Sequence, residues 1–374
     1  MLDDDEPSRL LVGVLGGLAR ALLMRGEHRR GADVRARAVT AARELGDRAA
    51  LAGVLAGAAW ARGTEPPERI LAELTEAREL AEALGDAELG VDAMFWRATM
   101  LLSLAELGAA RREVTEVRAL AGRTAQPFQI HSAEQCESAI ALCEGRLADA
   151  EAAAQRSHEW STLLTGREES GVFGIQMFGV RREQGRLAEV APVIRLLAGG
   201  AGDGSWRPGL VSLLAEIGLE EEAASELARI AADGLDGFRA SLWLASLTFL
   251  TDAAAALGDR AAAALLYPEL EPYGGTNVVI GNGVACYGAA DRFLGMLAAT
   301  LGDAPLAERH FGVALALNRR MGARTWVART AYEHGRMLRT RGDRARAAEL
   351  LGEARDLARE IGMPTLLDRI DAAR

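Results

Sequence analysis

The chain has 374 residues, and 49% of them are hydrophobic, which is enough to form a buried core. Its net charge of −10 at pH 7 argues against a general nucleic-acid-binding surface. All 43 basic residues are arginine. Because there is no lysine, the sequence can build neither a phosphate-binding loop of the G-x-x-x-x-G-K-[ST] type nor a Schiff-base nucleophile.

A glycine recurs between two amphipathic segments along the whole chain, and each follows one apolar helix pattern and precedes another. These glycines are Gly26, Gly63, Gly108, Gly145, Gly185, Gly218, Gly258, Gly302 and Gly342. A glycine suits such a place because it tolerates positive φ where a helix stops. The pattern predicts nine helix pairs. Their first helices are expected at 8–24, 48–62, 87–106, 128–144, 168–184, 206–217, 239–257, 284–301 and 324–341.

The last two predicted pairs share one spacing of small and large residues. The offsets that join Gly295, Gly302, Ala307, Phe311 and Ala314 also join Gly335, Gly342, Ala347, Leu351 and Ala354. Small residues let two helices approach, and the large residue between them fills the gap. This is the spacing of a tetratricopeptide repeat (TPR), lengthened from about 34 to about 40 residues. We therefore predict an all-α fold, an α-solenoid of about nine TPR-like helix-turn-helix units in a right-handed superhelix.

The whole chain, 1–374, is expected to form a single superhelical domain. The glycine-rich stretch near 198–206 predicts a flexible break between the fifth and sixth units, and 364–374 predicts a short C-terminal capping helix. In such stacks the first helices line the concave face, which is the usual binding surface.

One segment interrupts the helical pattern: "YGGTNVVIGNGVACYGAADRFLG", at 273–295, has six glycines and a β-branched run. It does not follow G-x-G-x-x-G and no βαβ unit precedes it, which argues against a dinucleotide site. Two interpretations stay open. The segment is either a linker whose glycines allow sharp turns, or a loop at 274–288 folded over the groove. In the second case its backbone N–H groups would hold a polar ligand together with Asn277, Asn282 and Tyr287.

Further candidate binding residues lie on predicted first helices, where aromatic, amide and guanidinium groups suit a peptide, an acidic group or a sugar. They are Trp96, Arg97, Gln176, Arg181, Trp243, Arg292, Trp326, Arg329 and Tyr332. Arg292 and Arg329 lie on helices of adjacent units, so they are candidates to bind one anion jointly. The alternative is that the aromatic residues belong to the core and the arginines to the surface.

The sequence shows no pattern that demands catalysis. His131 and Glu134 share one helix face as a metal pair would, but no third ligand is near in sequence, so a capped helix is the preferred interpretation. The cysteines, Cys136, Cys143 and Cys286, have neither metal-ligand nor redox spacing. No nucleophile–base–orienter arrangement is found. We therefore expect no enzyme activity, no metal and no cofactor.

The expected location is the cytoplasm. An odd number of cysteines without a disulfide framework suits a reducing compartment. The start, "MLDDDEPSR", is acidic where a signal peptide would be basic. No apolar run reaches the roughly 18 residues needed to span a bilayer.

The predicted terminal units resemble the C-terminal repeat region of large bacterial signalling ATPases. The resemblance is carried by "NVVIGNGVACYGAADRFLGMLAATLGDAPLAERHFGVALALNRRMGARTWVARTAYEHGRMLRTRGD" (277–343), and "FGIQMFGVRREQGRLAEVAPVIRLL" (173–197) and "GVDAMFWRATMLLSLAELGAARREV" (90–114) are similar to the same region. These ATPases are multidomain regulators of the MalT-like and LuxR-type class and related cyclase-linked ATPases. The resemblance implies a non-catalytic region that senses a small inducer or a partner protein and controls oligomerisation of an ATPase.

Two functions follow from this resemblance. The favoured one is an interaction and sensor module of bacterial signalling or transcriptional regulation, which binds a partner protein or peptide in its concave groove. The alternative is a small-molecule inducer sensor with its site at 274–288 and the groove arginines. Neither direct nucleic-acid binding nor membrane binding is expected, and the sequence allows a homodimer through an exposed apolar face of a terminal unit.

Overall fold

The computed structural model describes residues 8–25, 27–62, 65–124, 126–165, 170–199, 206–239 and 243–372. They group into two compact units, one that ends at Ala133 and one that begins at Glu134. The organisation of 1–374 as a single domain stays a prediction. The break predicted near 198–206 lies largely outside the described residues.

The described part of the chain is almost entirely helical. Its α-helices are α1 Arg9–Met24, α2 His28–Leu45, α3 Arg48–Ala56, α4 Pro67–Leu84, α5 Ala87–Ser103, α6 Leu107–Thr124, α7 Pro127–Glu144, α8 Leu147–Thr165, α9 Ser170–Glu183, α10 Ala191–Gly199, α11 Arg207–Glu216, α12 Glu220–Asp233, α13 Trp243–Leu257, α14 Arg260–Leu270, α15 Ala290–Leu301, α16 Ala304–Arg320, α17 Arg324–Thr340, α18 Arg344–Ile361 and α19 Pro364–Ala372. Short 3₁₀ segments lie at Gly57–Ala61, Leu187–Val190, Asp236–Phe238 and Glu271–Tyr273. None of the described helices is both long and apolar enough to cross a membrane.

The helices pack in consecutive pairs, as predicted. In the first unit α1 contacts α2, α3 contacts α4 and α5 contacts α6, while α1 also contacts α3 and α3 contacts α5. The second unit repeats this arrangement, since α11 contacts α13, α13 contacts α15 and α15 contacts α17, while each of these helices also contacts a neighbour in sequence. Stacked pairs of this kind define an all-α solenoid. The handedness of a superhelix stays a prediction.

Several helices have an aspartate at the N-cap, directly after a glycine with positive φ. The carboxylate of each accepts a hydrogen bond from a backbone N–H in the first turn. These residues are Asp47, Asp86, Asp259, Asp303 and Asp343. Such an N-cap contributes roughly 1 kcal/mol to helix stability because it satisfies a donor that has no partner within the helix. The recurring "LGD" of the sequence therefore both ends one helix and starts the next.

Most of the predicted glycine turns are confirmed, and one is wrong. Positive φ is found at Gly145, Gly185, Gly218, Gly258, Gly302 and Gly342. Gly26 and Gly63 lie outside the described residues. Gly108 is instead the second residue of α6, and Ala105 takes the left-handed conformation with φ 62°. The N–H of Ala105 still bonds the carbonyl of Leu102, so the turn closes without glycine.

The small-and-large spacing of the last two pairs has the predicted structural role. A Cβ placed on Gly295 would lie 2.7 Å from the ring of Phe311, and one on Gly335 would lie 2.9 Å from Cγ of Leu351. Both large residues are buried. Glycine at these two sites therefore lets the two helices of each pair approach closely.

Residues 284–289 do not begin a helix, contrary to prediction. Strand β1, Asn277–Ile280, pairs antiparallel with β2, Ala285–Ala289, with Val279 opposite Cys286. Every residue of both strands is buried. The β-branched run favours a strand, and the glycines around it supply the positive φ of the turn. The eighth pair therefore starts only at Ala290.

The second unit closes back on its own first helices. A Cβ on Gly145 would lie 2.7 Å from Ile361, and one on Gly185 would lie 2.7 Å from Pro364 at the start of α19. The hydroxyl of Thr325, on α17, donates to the carbonyl of Leu142, on α7, at 2.6 Å. The last helices of this unit thus pack against its first ones.

Candidate functional site

The β-hairpin fills the interior of the second unit. The hydroxyl of Tyr287 donates to the carbonyl of Ile175 at 3.2 Å, and its ring packs edge-on against Trp326 at 5.8 Å. Trp326 is fully buried, and its Nε1 donates to Sγ of Cys143 at 3.2 Å. Tyr287 and Trp326, both predicted as ligand residues, therefore belong to the core of this unit.

The asparagine and glutamine residues that were predicted to bind a ligand or partner bond to other residues of this chain instead. Asn277 is buried, with Nδ2 3.1 Å from Sδ of Met321. The carbonyl of Asn282 accepts a hydrogen bond from Nε2 of Gln135 at 2.6 Å. Nε2 of Gln176, also buried, donates to the carbonyl of Gln135 at 3.4 Å. Most of the segment 274–288 belongs to a hairpin with buried strands, Asn277–Ile280 and Ala285–Ala289, and is not an open loop.

Three other predicted residues also have partners within the second unit. Arg181 donates to Glu151 at 2.6 Å. The guanidinium of Arg239 lies 4.6 Å from the ring centroid of Trp243. Tyr332 is buried in an apolar cluster with residues of α17, α18 and α19. The structure does not bring these three side chains together with the hairpin.

A buried network of charged side chains lies where the first helices of the second unit meet. Nε of Arg182 lies 3.1 Å from Glu183, and its Nη1 lies 2.7 Å from Asp252. Nε of Arg329 donates to the other oxygen of Glu183 at 3.0 Å, and its Nη1 lies 3.7 Å from Glu216. We call this set, together with Arg292, the buried arginine cluster.

Arg292 is the exception in the buried arginine cluster. Its side chain is 3% exposed, and its closest carboxylate oxygen, on Asp252, is 3.9 Å away. Its guanidinium lies over Phe293 at 3.8 Å, and among the described residues neither Nε nor Nη2 has an acceptor. Burial lowers the pKa of Arg292 to about 10 and raises the pKa of Asp252. The cluster thus leaves buried donors without a partner, which is costly.

In the first unit, Trp96 lines an open groove and Arg97 does not. Nε of Arg97 donates to Glu113 at 3.1 Å, so this arginine is fixed between helices. Trp96 packs edge-on against Trp60, with ring centroids 5.2 Å apart. The two rings lie on the wall of a cavity of about 640 Å³. This cavity is called the tryptophan groove below, and its wall includes Arg9, Gly13, Gly16, Gly17, Arg20, Arg35, Gly53, Gly57, Trp60, Leu89, Asp92 and Trp96.

Four of the glycines on the wall of the tryptophan groove are not needed for packing within the chain. A Cβ added at Gly13, Gly17, Gly53 or Gly57 would meet no atom within 4 Å. A glycine inside a helix costs roughly 0.5–1 kcal/mol relative to alanine. These residues therefore destabilise their helices while they leave the groove open, as expected where another molecule approaches the backbone.

Asp92 is the titratable group of the tryptophan groove. Burial, together with the nearby carboxylates of Glu88 and Asp86, raises its pKa to about 6. A pocket with apolar walls, a few polar groups and a perturbed carboxylate is the usual form of a binding site.

Sequence reasoning identified only Trp96 among these residues. The sequence did carry one signal of the groove, the spacing of its glycines. Gly13 and Gly17 are four residues apart, as are Gly53 and Gly57, and residues at this spacing share one helix face. Trp60 and Asp92 had no such signal because they come from different helix pairs.

A second cavity, of about 630 Å³, lies in the second unit and is a weaker candidate for a binding site. Its wall includes Arg146, Asp149, Gln184, Arg186 and Pro364. Arg146 pairs with Asp149, and Arg186 bonds Glu189 at 2.7 Å, so these arginines are already neutralised. In the described residues no group of three or more His, Cys, Asp or Glu side chains is placed to hold a metal ion.

Comparisons with known proteins add little to this description. No family model matches the chain, and no curated protein matches it significantly. A solved circular tandem repeat protein with "novel repeat topology and enhanced subunit contact surfaces" is similar over 98% of this chain and 94% of its own. The identity is 16% and the TM-score 0.21, values too low to support an argument. The helix pairs themselves therefore define the class: this is an all-α helical repeat protein.

Proposed function

We propose that the chain is a non-catalytic interaction module that binds a partner protein or peptide in the tryptophan groove. The open, glycine-lined groove with two tryptophans on its wall is the observation that carries this proposal. Tryptophan is enriched among the residues that contribute most to binding energy at interfaces. A groove without backbone obstruction suits an extended or helical segment of another chain.

The proposed biological context is bacterial signalling. Its support is the resemblance of 277–343 to the repeat region of MalT-like and LuxR-type regulators, a segment that spans the hairpin and helices α15 to α17. In this proposal the module acts as a sensor. Filling the groove changes the packing of neighbouring helix pairs, and this change alters the assembly of an attached or separate ATPase.

The test is a pair of glycine variants in the first unit. Gly53→Leu places a side chain in the tryptophan groove, whereas Gly122→Leu adds the same side chain on α6, where a Cβ also meets no atom within 4 Å. Both changes raise helix propensity by roughly 0.8–1 kcal/mol, so both variants should fold. We expect the protein that co-purifies with the wild type from its source cells to fall at least about tenfold with Gly53→Leu only, by quantitative mass spectrometry.

Equal recovery of that protein with the wild type, Gly53→Leu and Gly122→Leu would show that the groove is not the docking surface. Circular dichroism of the three proteins checks that each remains helical.

The unsatisfied donors of Arg292 favour a second candidate function, a small-molecule sensor. In this alternative an anionic ligand bonds Nε and Nη2 of Arg292 within the buried arginine cluster and is covered by the hairpin. Ligand entry then requires the hairpin to move, which couples binding to the conformation of the second unit.

Native mass spectrometry of gently purified protein tests this second function. The expected result is a retained small molecule in the wild type that is lost from Arg292→Met, a variant that keeps an unbranched stem but removes the guanidinium and its charge. Arg319→Met is the matched control, because Arg319 is exposed and pairs at the surface with Glu353. A wild-type mass without any ligand argues against the second function.

A further inference from the structure

Asp92 is a carboxylate without a partner in a unit where Glu65, Glu73 and Glu113 are paired with arginine. Glu113 accepts from both Arg78 and Arg97, at 3.1 Å each. Arg35 is held between Glu65 and Glu73. Asp92 has neither an ion pair nor a hydrogen bond to any described residue. A half-buried charge without a partner is unfavourable, so this position points to a cation from outside the chain.

The carboxylate and the aromatic rings face one space. Asp92 and Trp96 are four residues apart on α5 and so lie one above the other on the same helix face. Both line the tryptophan groove, and Trp60 packs edge-on against Trp96 there. Arg62 lies 5.5 Å from the centroid of Trp96 but is not on the groove wall. The chain itself thus shows that this ring accepts a guanidinium.

The charges around Asp92 favour a cation over an anion. On its own helix and cap, Glu88 and Asp86 add negative charge. From α1, Arg9 is neutralised by Asp47 at 2.6 Å, and Arg20, which is also on the groove wall, is exposed. From α2, Arg35 is already held by its two glutamates. The Asp92 end of the groove is therefore acidic.

We propose that the tryptophan groove recognises a basic side chain of the partner, with Asp92 as its counter-ion and Trp60 and Trp96 as its aromatic wall. This inference rests on the proposed function, because it assigns the chemistry of the segment that the groove takes. A guanidinium fits best because its planar cation both stacks on an aromatic ring and donates to a carboxylate.

The inference requires a defined pH dependence. Only the ionised form of Asp92 attracts the cation, and its pKa in the free protein is about 6. Affinity should therefore fall as the pH drops through 6, by about tenfold per unit below it, and level off at higher pH. The variant Asp92→Asn should bind weakly and show no such dependence.

The experiment uses the full chain and two capped tripeptides, acetyl-Ala-Arg-Ala-amide and acetyl-Ala-citrulline-Ala-amide, titrated by NMR with ¹⁵N-labelled tryptophan. Citrulline has the shape of arginine without the charge. We expect the indole signals of Trp60 and Trp96 to shift with the arginine peptide, and binding to be at least about tenfold weaker with citrulline or with Asp92→Asn. Single Trp→Phe changes assign the two signals.

The outcomes separate this inference from the proposed function. Equal binding of both peptides, or unchanged binding by Asp92→Asn, overturns cation recognition but leaves the groove as a docking site. Absence of peptide binding also overturns cation recognition, and if Gly53→Leu still recovers the cellular partner the proposed function falls as well. Binding of the arginine peptide alone, lost in Asp92→Asn and below pH 6, supports the inference.

Discussion

Replacing Gly288 by alanine is expected to destabilise the second unit by about 2–5 kcal/mol, measured by urea unfolding. Gly288 has φ 75°, a conformation that costs an L-residue energy, and a Cβ at this position would lie 2.5 Å from Cγ of Trp326. Trp326 cannot move aside easily, because it is fully buried and its Nε1 bonds Cys143. The destabilising contributions of backbone strain and of overpacking therefore add at this residue.

Gly275→Ala is the matched control for Gly288→Ala. Gly275 has φ 80°, yet a Cβ there would meet no atom within 4 Å. Backbone strain alone should lower the free energy of unfolding of this variant, by about 1–2 kcal/mol. If both variants lost the same stability, the packing of the hairpin against Trp326 would not be rigid.

Removing the carboxylate of Glu183 is the second change with a large expected effect. Glu183 is fully buried and bonds two arginines, Arg182 at 3.1 Å and Arg329 at 3.0 Å. In Glu183→Ala these two guanidinium groups would lose a shared counter-ion in a site that water does not reach. A buried pair broken in this way costs about 3–5 kcal/mol. Urea unfolding of the purified variant measures the loss.

The control for Glu183→Ala is Glu353→Ala, which removes an exposed partner of Arg319 at 3.2 Å. Exposed pairs contribute about 0–1 kcal/mol, so this variant should unfold almost as the wild type does. A loss below 1 kcal/mol for Glu183→Ala would mean that Arg182 and Arg329 find other acceptors, and the buried arginine cluster would then be adaptable.

The helix pairs could be predicted from the sequence because their signals are local. The glycine turn and the apolar periodicity lie within one pair. The first helix predicted at 324–341, for example, is α17, Arg324–Thr340, and the turn at Gly342 follows it. The interlock of Gly335 with Leu351 was predictable for the same reason, since both residues belong to one pair.

The hairpin and the groove could not be predicted in this way. Residues 284–289 are a short apolar run, and such runs do not distinguish a strand from a buried helix. Their strand form depends on the space between α9, α13 and α17, which no local pattern reveals. Trp60, in the 3₁₀ segment that follows α3, and Asp92 line one groove only because α3 packs against α5. The left-handed alanine at 105 carries no sequence signal.

The closure of the second unit has a consequence for how this chain can evolve and be synthesised. Repeats that touch only their neighbours can be duplicated or deleted singly, and they fold progressively as they leave the ribosome. Here Thr325 and Trp326 bond Leu142 and Cys143, so these contacts of α7 can form only after most of the unit has been translated. Insertion or loss of one repeat would also separate these pairs. The number of repeats in this half is therefore fixed by its own geometry, and change within it is confined to substitution.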